Sequence, residues 1–133
     1  DVPGFGTVNF YPVSMGNPHA IIFVDSVDTA PVESLGPILE IHPIFPQRVN
    51  VEFVEVISPA QARMRVWERG CGETLACGTG NAAIMAVGTR IGKFASRLAL
   101  DSKGGKFVME CTPAGQIFLE GPSQKVFSGV ISL

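Results

Sequence analysis

The feature that most constrains this chain is a helix with almost no polar face. Residues Gly80 to about Ile91 run through Ala82-Ala83-Ile84-Met85-Ala86-Val87-Gly88. A helix that is apolar all round has to be covered on all sides, and at this length it is too short to span a bilayer. The spacing therefore predicts a central helix wrapped by sheet. Just before it stands Arg65-Val66-Trp67-Glu68-Arg69-Gly70-Cys71-Gly72-Glu73-Thr74-Leu75-Ala76-Cys77-Gly78-Thr79. This is a β-prone segment, a charged pair and a glycine-rich bend, with Cys77 at the mouth of the helix.

The flanks supply the wrapping. Thr7 to Val13 and Ala20 to Val24 are β-rich runs joined by Ser14-Met15-Gly16-Asn17-Pro18-His19. Pro18 keeps Asn17 out of the helical region. The connector is thus expected to hold Asn17 and His19 at the lip of a strand, unless it is only a tight loop. Asp28 to Phe45 carries Leu35, Ile38, Leu39 and His42 at helical spacing, with Pro43 and Pro46 as stops. It reads as an outer amphipathic helix, with His42 as a capping or surface residue. Asn50 to Val56 alternates like a strand, and Ala62 to Glu68 is its hairpin partner after the Ser58-Pro59 turn. Leu98 to Leu100, Phe107 to Cys111, Gln116 to Glu120 and Lys125 to Leu133 are further short strands between glycine and proline turns. About eight short strands and one apolar helix make an α+β fold, a curved mixed β-barrel closed around that helix, in a single domain spanning 1–133.

With 133 residues, 46% hydrophobic and 17% charged, the chain can bury a core of its own. A formal charge of −2 leaves no electrostatic footprint for nucleic acid, and there is no basic run for a membrane surface. The start, Asp1-Val2-Pro3-Gly4-Phe5, shows no basic and apolar leader and no initiator Met, so a processed product or a piece of a longer protein is expected. Three cysteines, Cys71, Cys77 and Cys111, are odd in number and sparse, which points to a reducing, cytoplasmic compartment rather than a disulfide framework. They lack the spacing of a zinc site. Cys111, within a strand pattern, reads as a small buried hydrophobe.

The chemistry centres on Cys77. Amides at a helix start have no intrahelical partner and favour anions, including a thiolate. Cys77 could be a nucleophile, a redox centre paired with Cys71, or a base for proton transfer. Proton abstraction beside a carboxylate fits the surroundings best. The amides of Gly78 and Thr79 can neutralise the substrate carboxylate, and a cysteine at this position can have a pKa near the working pH. Glu68 and Arg69 at the strand end could bind an amine and a carboxylate, or form a surface ion pair.

These residues carry a resemblance. Glu68 to Gly80 is similar to the second cysteine motif of the diaminopimelate epimerases. Met15-Gly16-Asn17-Pro18-His19 and Arg48-Val49-Asn50-Val51-Glu52-Phe53 resemble two further motifs of that family, in the same order. The likeness extends to Gly121-Pro122 and the closing Val126 to Leu133. It implies an isomerase free of pyridoxal phosphate and metal, interconverting L,L- and meso-diaminopimelate for lysine synthesis. One cysteine removes the α-proton and another returns one on the opposite face. Cys77 would be one of the pair, with His19 and Glu68 tuning the transfer. Asn17, Asn50, Glu68, Arg69, Gly78 and Thr79 would hold substrate, and Cys71 would be structural. The family has two domains, and its other cysteine lies in an N-terminal Cys-Gly-Asn-Gly type motif that does not occur in this chain. The resemblance therefore covers the C-terminal half, whose partner is the N-terminal domain, and implies that this chain alone is inactive. Phe127 stands where some members carry a tyrosine at a homodimer contact. Proline racemase and phenazine-type isomerases share the fold, and a non-catalytic amino acid binding module or a thiol redox protein are the readings from other classes.

Overall fold

A computed structural model describes residues 1–132. Eight strands form one sheet, β1 (Tyr11–Ser14), β2 (Pro18–Val24), β3 (Asn50–Ser58), β4 (Gln61–Glu68), β5 (Gly72–Thr74), β6 (Arg97–Ser102), β7 (Gly105–Cys111) and β8 (Ile117–Glu120). Two helices, α1 (Val32–Glu40) and α2 (Gly78–Arg90), lie on opposite faces of it. The order is β1-β2-β3-β4-β6-β7-β8, with β5 paired to β4 off this path. The sheet is mixed because each helix is a crossover. α1 returns the chain from β2 to a parallel β3, and α2 carries it from the β4–β5 hairpin to β6, parallel to β4.

A strand covered on both faces needs apolar residues in both registers where the helices lie on it, and the three central strands supply them there. Ala20 and Ile22, Val51 and Phe53, and Trp67 pack under α1 with Val32, Leu35 and Leu39. The alternate residues Ile21, Val54, Met64 and Val66 pack on α2 through Ala83, Ile84, Met85 and Val87. The sheet curls so that strands from β1 to β8 reach α2. This is the expected α+β arrangement, with one difference: among the described residues no ladder joins β1 to β8. The barrel stays open there as a groove of about 530 Å³, lined by Val13, Ala86, Thr89, Cys111 and Ile117 among others. Ala86 and Thr89 are consequently only half-buried.

Several boundaries differ from the sequence reading. The first strand is Tyr11–Ser14, not Thr7 to Val13, and the second starts at Pro18. A three-residue turn suffices because Gly16, at φ 93°, takes the left-handed conformation. His19 therefore lies inside β2 and not in the connector. The outer helix covers only nine residues, because Pro31 stands at its N-cap and the chain leaves helical geometry at Ile41, ahead of Pro43. His42 caps the following turn, its Nδ1 accepting from the Ile44 amide at 3.3 Å. Lys125 to Ser132 forms no strand, and Val126, Phe127, Val130 and Ile131 are exposed. Leu133 lies outside the described residues.

Candidate active site

The site follows from how three strand faces end. On β2, β3 and β4 the residues facing α2 are apolar until the strands reach the N-terminal end of that helix. There the same faces continue as His19, as Asn50 and Glu52, and as Glu68. Period-2 alternation thus delivers four polar side chains to one end of an otherwise apolar interior. His19 and Glu52 are fully buried, and their Nδ1 and Oε1 atoms lie 2.6 Å apart.

Cys77 is the N-cap of α2, in extended geometry, and its Sγ accepts from the Gly80 amide at 3.4 Å. A network leads away from it. Cys77 Sγ is 3.5 Å from Thr79 Oγ1, which accepts from Asn17 Nδ2 at 3.2 Å. Asn17 Oδ1 is 3.1 Å from His19 Nε2, and the His19 ring then meets Glu52. Residues 17, 19, 52, 77 and 79 form one continuous polar chain.

The electrostatics of Cys77 correct the sequence reading. A helix start alone would bring the thiol down. Burial instead pushes it up, the hydrogen bonds from Thr79 and Gly80 oppose this, and the negative charge of Glu68 pushes it further up. These effects favour the thiol form of Cys77 over the thiolate. Burial likewise raises the carboxyl of Glu52, against the hydrogen bond with His19 and with the help of Glu68.

Gly78 and Thr79 are exposed at the mouth, and their amides have no partner among the described residues. Glu68 and Arg69 do not pair with each other. The Glu68 carboxylate accepts from the Thr74 hydroxyl, while the exposed Arg69 guanidinium donates to the Gln47 carbonyl at 2.9 Å. Asn50 is a clamp: its Nδ2 donates to the Pro18 carbonyl at 3.0 Å and its Oδ1 accepts from the Arg69 amide at 2.9 Å. It ties the starts of β2 and β3 to the turn after β4. Cys71 is exposed in that turn, and all three cysteines are free.

Two residues escaped the sequence reading. Glu52 shares its face with Val54 and Val56, so a carboxylate on an apolar face was the available signal. Glu73 is the second. It takes Arg65 at 2.7 Å and Lys103 at 2.7 Å, which hold its carboxyl down at about 2. Together with the Gly104 amide, which donates to the Leu75 carbonyl at 2.7 Å, it pins the segment leading to Cys77.

Fold and site define a class: a curled mixed sheet around an apolar helix, with an N-capping cysteine and a polar network at the helix mouth. The same fold occurs in a phenazine biosynthesis protein of the PhzF family from Bacillus anthracis, at TM-score 0.57 and 22% identity over 84% of this chain and 38% of that one. A PhzC/PhzF protein from Clostridium difficile matches at TM-score 0.57 and 18% identity, over 80% and 39%. At sequence level, the diaminopimelate epimerase family model matches residues 11–126. The diaminopimelate epimerase of Pelotomaculum thermopropionicum is 46% identical over 88% of this chain and 42% of its own length. That of Pseudomonas aeruginosa is 47% identical over 95% and 46%. The chain belongs to the diaminopimelate epimerase family, and it spans less than half the length of these curated relatives. Among the described residues no helix is long and apolar enough to cross a membrane.

Proposed function

We propose that this chain is the C-terminal domain of a diaminopimelate epimerase and contributes one of two faces of its active site. The observation that carries this is the position of Cys77 at the start of α2. There a thiol, two free amides and the Asn17–His19 network converge within the segment that matches the family.

Inverting an α-carbon requires one group to remove the proton and another to supply one on the opposite face. In the state described, Cys77 is suited to the second task. Burial keeps its proton on sulfur, and Thr79 and Gly80 are placed to stabilise the thiolate once the proton has left. The base that opens this direction is a cysteine of the N-terminal domain, and in the reverse direction the roles exchange. Glu68 disfavours a thiolate at Cys77 and so favours return of the proton to sulfur. The amides of Gly78 and Thr79 bind the α-carboxylate and lower the cost of the carbanion. Asn17, Glu68 and Arg69 contact the substrate, and Asn50 shapes the site by holding the Arg69 amide. The reaction uses neither pyridoxal phosphate nor metal. The chain alone is inactive because it supplies one acid–base group on one face.

The test is α-proton exchange of L,L-diaminopimelate in D₂O, with the N-terminal domain supplied as a separate polypeptide. Exchange and meso product that vanish in Cys77→Ser are expected. An assembled, folded complex that binds diaminopimelate but exchanges nothing would overturn the epimerase reading in favour of a binding module.

A further inference from the structure

The hydrogen bonds around His19 fix where its protons are. Asn17 Nδ2 donates to Thr79 Oγ1, so it is the amide oxygen that faces the imidazole, and His19 Nε2 must carry a hydrogen to donate to it. On the other side, Nδ1 and Glu52 Oε1 at 2.6 Å need a proton between them, since two bare acceptors would repel. That proton belongs to one of the two partners. Glu52 Oε2 is buried and has no hydrogen-bond partner among the described residues. An ionised carboxylate would leave half its charge uncompensated in a dry interior, whereas a protonated one leaves only a neutral carbonyl there.

We infer that Glu52 is a positioning residue, a buried carboxylic acid that donates its proton to His19 Nδ1 and locks the ring as the neutral Nε2–H tautomer facing Asn17, Thr79 and Cys77. The role depends on packing as well as charge. A Cβ on Gly80 would stand 2.7 Å from Glu52 Oε1, so the glycine at this helix position is what lets the carboxyl reach the ring. The ionisable groups around it are His19 on β2, Glu68 on β4 and Cys77 at the start of α2, while Asn81 on α2 is buried with its amide unpartnered. With Glu68 and any thiolate at Cys77 already negative, an acid kept neutral adds no further charge against proton removal. Burial, which raises the Glu52 carboxyl, acts in the same direction. The catalytic consequence rests on the epimerase reading; the protonation state does not.

The experiment has two arms for that reason. In the chain itself, infrared spectra should show a protonated carboxyl band that is absent in Glu52→Gln. Nitrogen-15 spectra of the two histidines should show His19 as neutral Nε2–H near neutral pH. Glu52→Gln, whose amide can still donate to Nδ1, should keep that tautomer, and Glu52→Leu should release it. An imidazolium, an Nδ1–H tautomer, or a ring indifferent to both variants would overturn the inference, even if the leucine variant fails to fold. In the enzyme assembled from both halves, Glu52→Gln should stay within about threefold of the parent. Glu52→Leu should lose about a hundredfold in kcat with little change in KM, the pattern of a mispositioned imidazole. Equal losses in the two variants, or a loss confined to KM, would overturn the positioning role. If the parent assembly shows no exchange at all, the function fails and the spectroscopic arm still decides the state of Glu52.

Discussion

Gly80 and Glu52 meet so closely that the helix carrying one must lack a side chain where the strand carrying the other ends in a carboxyl. A Cβ on Gly80 would sit 2.7 Å from Glu52 Oε1 and 3.3 Å from Cys77 Sγ. The carboxyl is wholly buried beneath α2. Gly80→Ala should therefore break the Glu52–His19 contact and cost about 1–3 kcal/mol, the usual range for overpacking. Urea unfolding with a parallel nitrogen-15 spectrum of His19 would read both. An unchanged ring signal would mean that the helix start yields instead.

Cys77 should react slowly. Because its thiol is pushed up by burial, alkylation at neutral pH should favour exposed Cys71 over Cys77, which mass spectrometry of peptides resolves. The Glu68 charge contributes to that shift, so Glu68→Gln should lower the Cys77 thiol and speed its alkylation. A slower reaction in that variant would contradict the assigned electrostatics.

Glu73 should make the fold acid-sensitive. Its carboxyl is held at about 2 by Arg65 and Lys103, well below an unfolded glutamate. Stability from this pair is present above the unfolded carboxylate range and is lost as pH falls through that range towards about 2. After discounting for half-exposed Lys103, the contribution is about 2 kcal/mol near neutral pH. Glu73→Gln should flatten the difference between denaturation midpoints at neutral and acid pH. A dependence as steep as the parent's would assign the acid response to other carboxylates.

Gly88 should tolerate nothing larger. A Cβ there would lie 2.0 Å from the ring of Phe94, which is 6% exposed and packs in the same core as α2. Gly88→Ala gains helix propensity of about 1 kcal/mol but must displace that ring, and overpacking of about 1–3 kcal/mol should win. Thermal unfolding decides. A raised midpoint would mean that Phe94 has room to turn.

Much of this was readable along the chain because it depends on near neighbours. The apolar run after Cys77, the alternation in residues 50–56 and the turn formers around Gly16 specify their own elements. The cysteine at the helix mouth follows from the order of strand, glycines and helix. Less legible were the ends of elements. The nine-residue α1 stops where local proline geometry outweighs a periodicity that runs further, and His19 joins β2 because Pro18 can pair with Ser14 across the hairpin.

By itself the sequence determined an α+β unit organised around one apolar helix, with Cys77 at its start and Asn17, His19 and Glu68 as its polar companions. Only the tertiary structure pushes the Cys77 thiol up, since that direction reflects burial in the folded core and the Glu68 carboxylate at the end of β4. Only the tertiary structure brought Glu52 to His19, 33 residues away, across a parallel strand pair created by the α1 crossover. Local spacing encodes which face a side chain takes. Burial and long-range partners decide what charge it carries there.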